Sequence, residues 1–297
     1  MKHKLAFVIL NYKQSDLVIR DVKNLSEIEP QSCFLIIDNN SQDGSVERFE
    51  DEFKGNDRIV VIENDVNSGY AKGNNIGIKK AVELFDPEFI AIMNPDVVVF
   101  DKETINIILD SFKKDDKLAL CTGLMLDGKK NLDYKKIAWK IPNKLQDCLL
   151  NLPFLSRFSI TKYKTLKIED SGLAYVEVIP GSFFIARTQH FLELGLFDES
   201  TFLFCEERIL ALKAKENNLR VAVVPKVFFI HDHKFENVSL KTRIIMYFEL
   251  LKSRFYFNKK YNTWPKIVVI PLFLVSSGIG ILLTITSWII KKLSHKV

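Results

Sequence analysis

The sequence predicts an α/β protein built on a mostly parallel, Rossmann-like sheet with flanking helices, continued by an amphipathic helix and an apolar helix at its C-terminal end. Three observations lead there. Short apolar runs alternate with helical patterns through the first half, as in sheets whose strands are joined by crossover helices. The residues that follow those runs are polar in a repeated way. Residues 267–290 carry no charge at all, although the mean hydropathy of the whole chain is only +0.04.

The first element is the run Leu5–Leu10. Lys2 and Lys4 precede it, but six apolar residues are fewer than a signal-peptide core, so it reads as a buried strand. Cys33–Ile37, Arg58–Ile62 and Phe89–Met93 repeat the pattern. Helices are expected between them over Ser15–Ser26, Gly44–Phe53 and Ala71–Phe85, then over Lys102–Lys114, leading to a strand at Leu118–Leu126. Residues 129–170 have weak periodicity and contain Pro142 and Pro153, which predicts an insert or mobile segment beside the sheet, with Leu149–Phe158 as an amphipathic surface element. Regular pattern returns with strands at Ala174–Ile179 and Phe183–Ala186, a helix over Glu206–Asn217, and strands at Arg220–Val224 and Val227–Ile230.

Apolar and aromatic residues at helical spacing over 240–260, with Lys and Arg between them, predict an amphipathic helix that lies at a membrane interface or packs on the domain. The uncharged 24 residues that follow make about 36 Å of helix, enough to cross a bilayer. Trp264 and Trp288 stand where interfacial aromatics are expected, and Pro271, Gly278 and Gly280 also fit a kinked or re-entrant helix. The chain therefore divides into a folded region at 1–238 and a tail at 239–297.

Composition narrows the function. Hydrophobic residues at 47% and charged residues at 27% of 297 exclude a disordered chain. The net charge of +5 is too small to argue for nucleic acid, and no nucleic-acid module is present. Its distribution is informative, because ten Lys/Arg against two Asp lie between Lys129 and Lys167, and further basic residues flank the apolar run. That favours an anionic membrane surface. Cys33, Cys121, Cys148 and Cys205 lack C-x-x-C spacing, which points to a reducing compartment.

A parallel α/β sheet binds its ligand at the carboxyl ends of the strands. The residues there are Asn11-Tyr12, Asp38-Asn39-Asn40-Ser41, Glu63-Asn64 and Asn94-Pro95-Asp96. Singly, such residues are turn formers or helix caps. Four sets at equivalent positions read as a site. Neither G-x-G-x-x-G nor the P-loop pattern occurs, which weakens an oxidoreductase and a P-loop phosphotransferase. Gly69, Gly73 and Gly77, spaced four apart, fit a helix packed closely beside a ligand or beside the sheet, with Asn74 and Asn75 available for hydrogen bonding. Asp96 is a plausible hard-cation ligand, since Mg²⁺ or Mn²⁺ takes one or two carboxylates and completes its shell with phosphate oxygens and water. Glu206 and Glu207 open a helix after an aromatic run, where an acid serves as a dipole complement or, if desolvated, as a base. His231 and His233 end the last strand and point to one face, within reach of a metal.

Taken in order, V-I-L-N-Y, I-I-D-N-N-S-Q-D-G-S, N-S-G-Y-A-K-G-N-N-I-G, M-N-P-D, P-G-S-F-F-I-A-R, F-D-E, C-E-E and I-H-D-H resemble the family 2 glycosyltransferases of the GT-A fold, in particular the rhamnosyltransferase-like enzymes of bacterial surface polysaccharide synthesis. The resemblance runs from about residue 4 to 235. It implies an inverting transfer from a nucleotide-diphosphate sugar, dTDP-rhamnose or a UDP-sugar, with Mg²⁺ or Mn²⁺. It implies that Asp38 and Tyr12 contact the base, that Gly69 and Asn74 lie in a second donor-contacting segment, and that Asn94-Pro95-Asp96 replaces the D-x-D motif, with Asp96 on the metal. Glu207 takes the place of the catalytic base beside Glu206, and His231 that of the late histidine at the metal or diphosphate. Two residues depart from the pattern: Asn94 stands for the first acid of D-x-D and Glu207 for an aspartate. The apolar tail and basic insert imply a lipid-linked glycan acceptor, at the inner membrane with the catalytic region on the cytoplasmic side. Transfer to a polyprenyl phosphate and a non-catalytic nucleotide-sugar-binding scaffold are the alternatives.

Overall fold

A computed structural model describes residues 3–132, 134–150, 161–232, 239–263 and 265–294. Their strands make one sheet. Strands β1 (Leu5–Asn11), β2 (Cys33–Asp38), β3 (Ile59–Glu63) and β4 (Phe89–Met93) form its first half in the order β3-β2-β1-β4, all parallel. The connecting helices are α1 (Ser15–Ile28), α2 (Ser45–Glu52) and α3 (Gly69–Phe85). These elements match the sequence reading because each strand is a continuous apolar run; β1, β2 and β4 are buried on both faces, and the edge strand β3 is partly buried.

Alternation along the strands sorts the core into two layers. Ala6, Val8, Leu35, Ile37, Ile90 and Ile92 pack against α3 residues such as Ile78 and Ala81. Phe7, Ile9, Phe34 and Ile36 face Val18, Val22 and Leu25 of α1 and Phe49 of α2. Gly73 and Gly77 let α3 lie directly on the sheet: a Cβ at Gly77 would come within 2.3 Å of Ile37 and 2.7 Å of Val8. Helix–sheet packing thus accounts for Gly73 and Gly77.

The second half of the sheet is mixed. Strand β5 (Val97–Val99) and helix α4 (Lys102–Ser111) follow β4, and then come β6 (Leu118–Asp127), β7 (Ala174–Val176), β8 (Phe183–Arg187) and β9 (Arg220–His231), with α7 (Thr188–Glu193) and α8 (Glu206–Glu216) interposed. Strand β8 runs antiparallel between β4 and β6, while β6 and β9 are parallel. The two strands expected at 220–224 and 227–230 are one strand with a register shift opposite Gly123/Leu124, where Pro225 supplies no ladder donor. Strand β5 was not expected; it pairs Val97 with His231.

The described part of the basic insert is docked on the sheet. It carries α5 (Tyr134–Ile137) and α6 (Lys144–Leu150). Ile137 and Ala138 are buried, and the Trp139 and Val178 backbones exchange hydrogen bonds of 3.1 and 3.0 Å. Most of the expected Leu149–Phe158 surface element lies outside the described residues.

Helix α9 (Leu240–Lys260) packs on the domain, burying Leu251, Ser253, Phe257 and Asn258. Ser253 Oγ donates to the Leu203 carbonyl at 2.7 Å. Asp198 accepts from the Tyr256 and Tyr261 hydroxyls at 2.8 and 2.5 Å and from Lys260 Nζ at 2.8 Å. Helix α10 (Lys266–Ser294) returns antiparallel along α9: Tyr247 Oη donates to Ser276 O at 2.8 Å, and the Phe255 and Phe273 rings meet edge-on at 5.3 Å. Residues 266–290 are long and apolar enough to span a membrane, and only 17% of their most apolar window is buried. Trp264 and His233 lie outside the described residues.

Candidate active site

The parallel half of the sheet aligns its polar strand ends, with Asn11 level with Asp38 and Asp38 with Glu63. Asp38 is 1% exposed. Its carboxylate accepts from Asn11 Nδ2 at 2.6 Å, from Ser41 Oγ at 2.6 Å and from the Ser41 amide at 2.8 Å. Charge-assisted bonds from neutral donors hold a buried carboxylate, and three are present here. Asn39 ties this end to the next crossover: its Oδ1 accepts from Asn64 Nδ2 and from the amide and hydroxyl of Ser68, and its Nδ2 donates to Asn67 and to the Gly69 carbonyl. Gly69 has φ +78°, and a Cβ there would meet the Phe202 carbonyl oxygen at 2.3 Å. Tyr70 N donates to that same carbonyl at 2.8 Å. This joint presses the start of α3 against the loop that leads to α8. Tyr12 is half exposed at the rim. Asn74 is buried on α3, with Nδ2 on the Tyr70 carbonyl and Oδ1 without a partner among the described residues.

A second cluster depends on the β5–β9 ladder. Because Val97 is level with His231, Asp96 and Asp232 become neighbours, and the Asp232 amide donates to the Asp96 carbonyl at 2.9 Å. His231 Nε2 then stands 3.2 Å from Asp96 Oδ1. One carboxylate and one imidazole at that spacing suit a divalent cation that takes its other ligands from a diphosphate and water. Among the described residues no group of three or more His, Cys, Asp or Glu side chains gathers as a metal cage, so the pair fits a site shared with substrate.

The acidic pair is set by an unusual turn. Phe204 and Cys205 both occupy the left-handed region, at φ 74° and 70°, before α8 begins. Such conformations cost non-glycine residues about 1–3 kcal/mol each and persist where the surroundings over-determine them. The turn places Glu207 Oε1 3.2 Å from the Gly181 amide, which donates to it. Tyr70 Oη donates to the Gly181 carbonyl at 2.6 Å. A Cβ at Gly181 would meet Glu207 Oε1 at 2.8 Å, so that position must lack a side chain if the carboxylate is to stay.

These parts open into a cleft of about 760 Å³. Asn94, Glu206, Glu207 and His231 line it together, with Asp96 behind His231. Tyr12, Asp38, Gly69 and Asn74 lie outside the lining and belong to the strand-end cluster, linked to it through Tyr70. Sequence reasoning passed over Gly181 and Tyr70, whose motifs gave the signal, and Trp139 and Arg254, which gave none.

Burial, then the neighbouring Glu207 carboxylate, push Glu206 up from 4.5 to about 8, and burial raises Glu207 as well. Burial and both acids raise Tyr70 well above the ordinary tyrosine range. Between the ordinary glutamate range and about 8, the folded chain keeps a proton on Glu206 that the unfolded chain releases, so this contribution is full at low pH and is lost as pH rises through that window. Glu206→Gln should therefore gain melting temperature on the wild type between about pH 5 and about pH 9. A difference that stays constant across that range would refute the assignment.

Residues 7–169 match the profile of Glycosyl transferase family 2. That span holds the strand-end residues and Asp96, but not Glu206, Glu207 or His231. The chain is 25% identical over 260 residues to the low-salt glycan biosynthesis hexosyltransferase Agl10 of Haloferax volcanii, covering 86% of this chain and 75% of the relative. It is 26% identical over 192 residues to the rhamnosyltransferase WbbL of Escherichia coli, covering 63% and 69%. Among solved structures it is similar in fold to GalNAc-T7 with UDP, GalNAc and Mn²⁺ (TM-score 0.63, 17% identity), over 87% of this chain and 48% of that one, so it spans about half the length of that structure. The mannosyltransferase PcManGT of Pyrobaculum calidifontis with GDP-Man and Mn²⁺ gives a TM-score of 0.57 at 14% identity, over 95% and 70%.

Proposed function

The chain belongs to glycosyl transferase family 2, and on that premise we propose that it is an inverting glycosyltransferase moving a sugar from a nucleotide-diphosphate donor to a hydroxyl of a lipid-linked glycan acceptor. The observation that carries the reading is the cleft, which brings a desolvated carboxylate, Glu207, into one space with Asn94 and the His231–Asp96 pair.

In this reading the nucleoside sits on the aligned ends of β1 and β2, with Asp38 held by Asn11 and Ser41 and with Tyr12 at the rim. Gly69 and Asn74 border it, and the unpartnered Asn74 Oδ1 supports a donor-facing role. Asp96 and His231 hold Mg²⁺ or Mn²⁺, and Asn94 lies beside them. The cation, when bound, neutralises charge on the departing diphosphate. Glu207 accepts the acceptor's hydroxyl proton as the new C–O bond forms at the anomeric carbon and the bond to the diphosphate breaks on the opposite face, which inverts the centre. Burial raises both acids, and Glu206 is raised further by its neighbour, which disfavours a second negative charge beside that base. The homologue WbbL, named a rhamnosyltransferase, supports a dTDP-rhamnose donor, and the solved neighbours with UDP support a UDP-sugar. Helix α10 anchors the chain in the inner membrane, residues 1–238 carry the chemistry on the cytoplasmic side, and 239–297 form the attachment.

The test is a screen of nucleotide sugars with Mn²⁺ and with EDTA, reading both melting temperature and release of the nucleoside diphosphate. One donor should stabilise the protein and be turned over. Stabilisation without turnover, even with lipid-linked acceptors, would identify a binding scaffold instead.

A further inference from the structure

The charges lining the cleft are divided by element. Acidic side chains come from the ends of β6 and β9 and from α8: Asp127, Asp232, Glu206 and Glu207. Basic ones come from the insert, as Lys136 and Lys162, and from α8 and α9, as Arg208 and Arg254. Arg208 is matched, since its Nη1 donates to the buried Asp147 at 2.8 Å and its guanidinium lies 4.9 Å from the centre of the Phe257 ring. Arg254 is not matched in the same way. Its Nη1 donates to a neutral partner, the Leu150 carbonyl, at 2.6 Å, and its Nε is buried with no hydrogen-bond partner among the described residues. Burial and the adjacent Arg208 hold it below the usual arginine range, outweighing the buried Asp147 that Arg208 already engages.

A desolvated guanidinium facing a cleft, with an unused donor and a second cation next to it, is unfavourable unless an anion completes it. Planar guanidinium groups bind phosphate oxygens in a forked geometry, and lysines add point charge. The donor's diphosphate already has its place at Asp96 and His231, at the sheet end of the cleft. Arg254 instead sits on α9, which also packs on α10 through Tyr247 and Phe255. The apolar surface of α10 is open, with Leu274 63% and Leu282 66% exposed.

We propose that Arg254, with Lys162 and Lys136, forms a second anion subsite that binds the phosphate of a lipid-linked acceptor, so that the acceptor enters beside α9 with its lipid toward α10. The inference rests on the glycosyltransferase reading and deepens it by assigning the acceptor side of the cleft. Arg254 is a binding residue here and takes no part in bond making.

The experiment compares the full-length wild type with Arg254→Gln and Lys162→Gln in detergent or nanodiscs. The first readout is direct binding of a short-chain prenyl diphosphate without donor, with inorganic pyrophosphate as a parallel probe. The second is KM for donor and for the phosphate-bearing acceptor. Each substitution should weaken prenyl diphosphate binding and raise acceptor KM, by about tenfold or more for Arg254, with donor KM moving much less. Lys162→Gln keeps the test open if the Arg254 variant does not fold. An equal rise in donor KM would show that this wall takes the donor's diphosphate and would overturn the proposal, as would an unchanged acceptor KM. Pyrophosphate binding as tightly as the prenyl compound would overturn the lipid assignment. Absence of any donor turnover, with prenyl diphosphate binding intact, would count against the glycosyltransferase reading alone.

Discussion

Glu207→Gln leaves the protein folded and able to bind donor, and lowers turnover by about 10²–10⁴-fold, the range that a positioned general base contributes. The amide keeps the shape of the carboxylate and still has an oxygen to accept from the Gly181 amide, so the turn before α8 has no reason to relax. It cannot accept a proton. Stability should hold or rise, because the substitution removes an acid that burial disfavours in its charged form. The measurement is kcat and donor KM for both proteins, beside their melting curves. A fall in kcat with donor KM unchanged supports the role, whereas turnover like that of the wild type removes Glu207 from the chemistry. Glu206→Gln gives the internal comparison: Glu206 is 2% exposed and is pushed up by burial and by Glu207, so its loss should reduce turnover far less.

Asp96→Ala carries the second large effect. It deletes the carboxylate 3.2 Å from His231 Nε2 and leaves the imidazole as the remaining protein donor of the pair. Loss of charge stabilisation at a leaving diphosphate is worth several kcal/mol, so turnover should fall by about two to three orders of magnitude. A readout independent of turnover is available. Mn²⁺ should increase donor-induced stabilisation of the wild type and have little effect on Asp96→Ala. Equal Mn²⁺ dependence in the two proteins would exclude Asp96 as a ligand. The substitution is not expected to unfold the chain, because the Asp96 contact that joins β5 to β9 is made by its backbone carbonyl.

Much of this architecture was legible in the sequence, for reasons that differ between elements. The first four strands are uninterrupted apolar runs bounded by turn residues; burial on both faces leaves that record in β1, β2 and β4, and the edge strand β3 shares it while only partly buried. Strand β5 is three valines next to the N-P-D motif, too short for any period to show. The bend in β9 hid its continuity, since Pro225 breaks the pattern that defines a strand. The position of α9 was undetermined because its buried set is small and polar in part, Ser253 and Asn258 included. At the site, the strand-end polar residues and the acidic pair announced themselves by type and place. Arg254 did not: one arginine among many basic residues stands out only from what the fold sets around it.

The three-residue strand β5 has a consequence for the changes this chain can absorb. Its contribution is to fix how far Asp96 lies from the point where Val97 meets His231, and side chains on a strand alternate between faces, so a shift of one residue would turn Asp96 away from the histidine. Apolar replacements for the valines should be tolerated. A single insertion or deletion between Asn94 and Val97 should not, whatever residue is involved. Along this stretch, the chain's length is the inherited quantity.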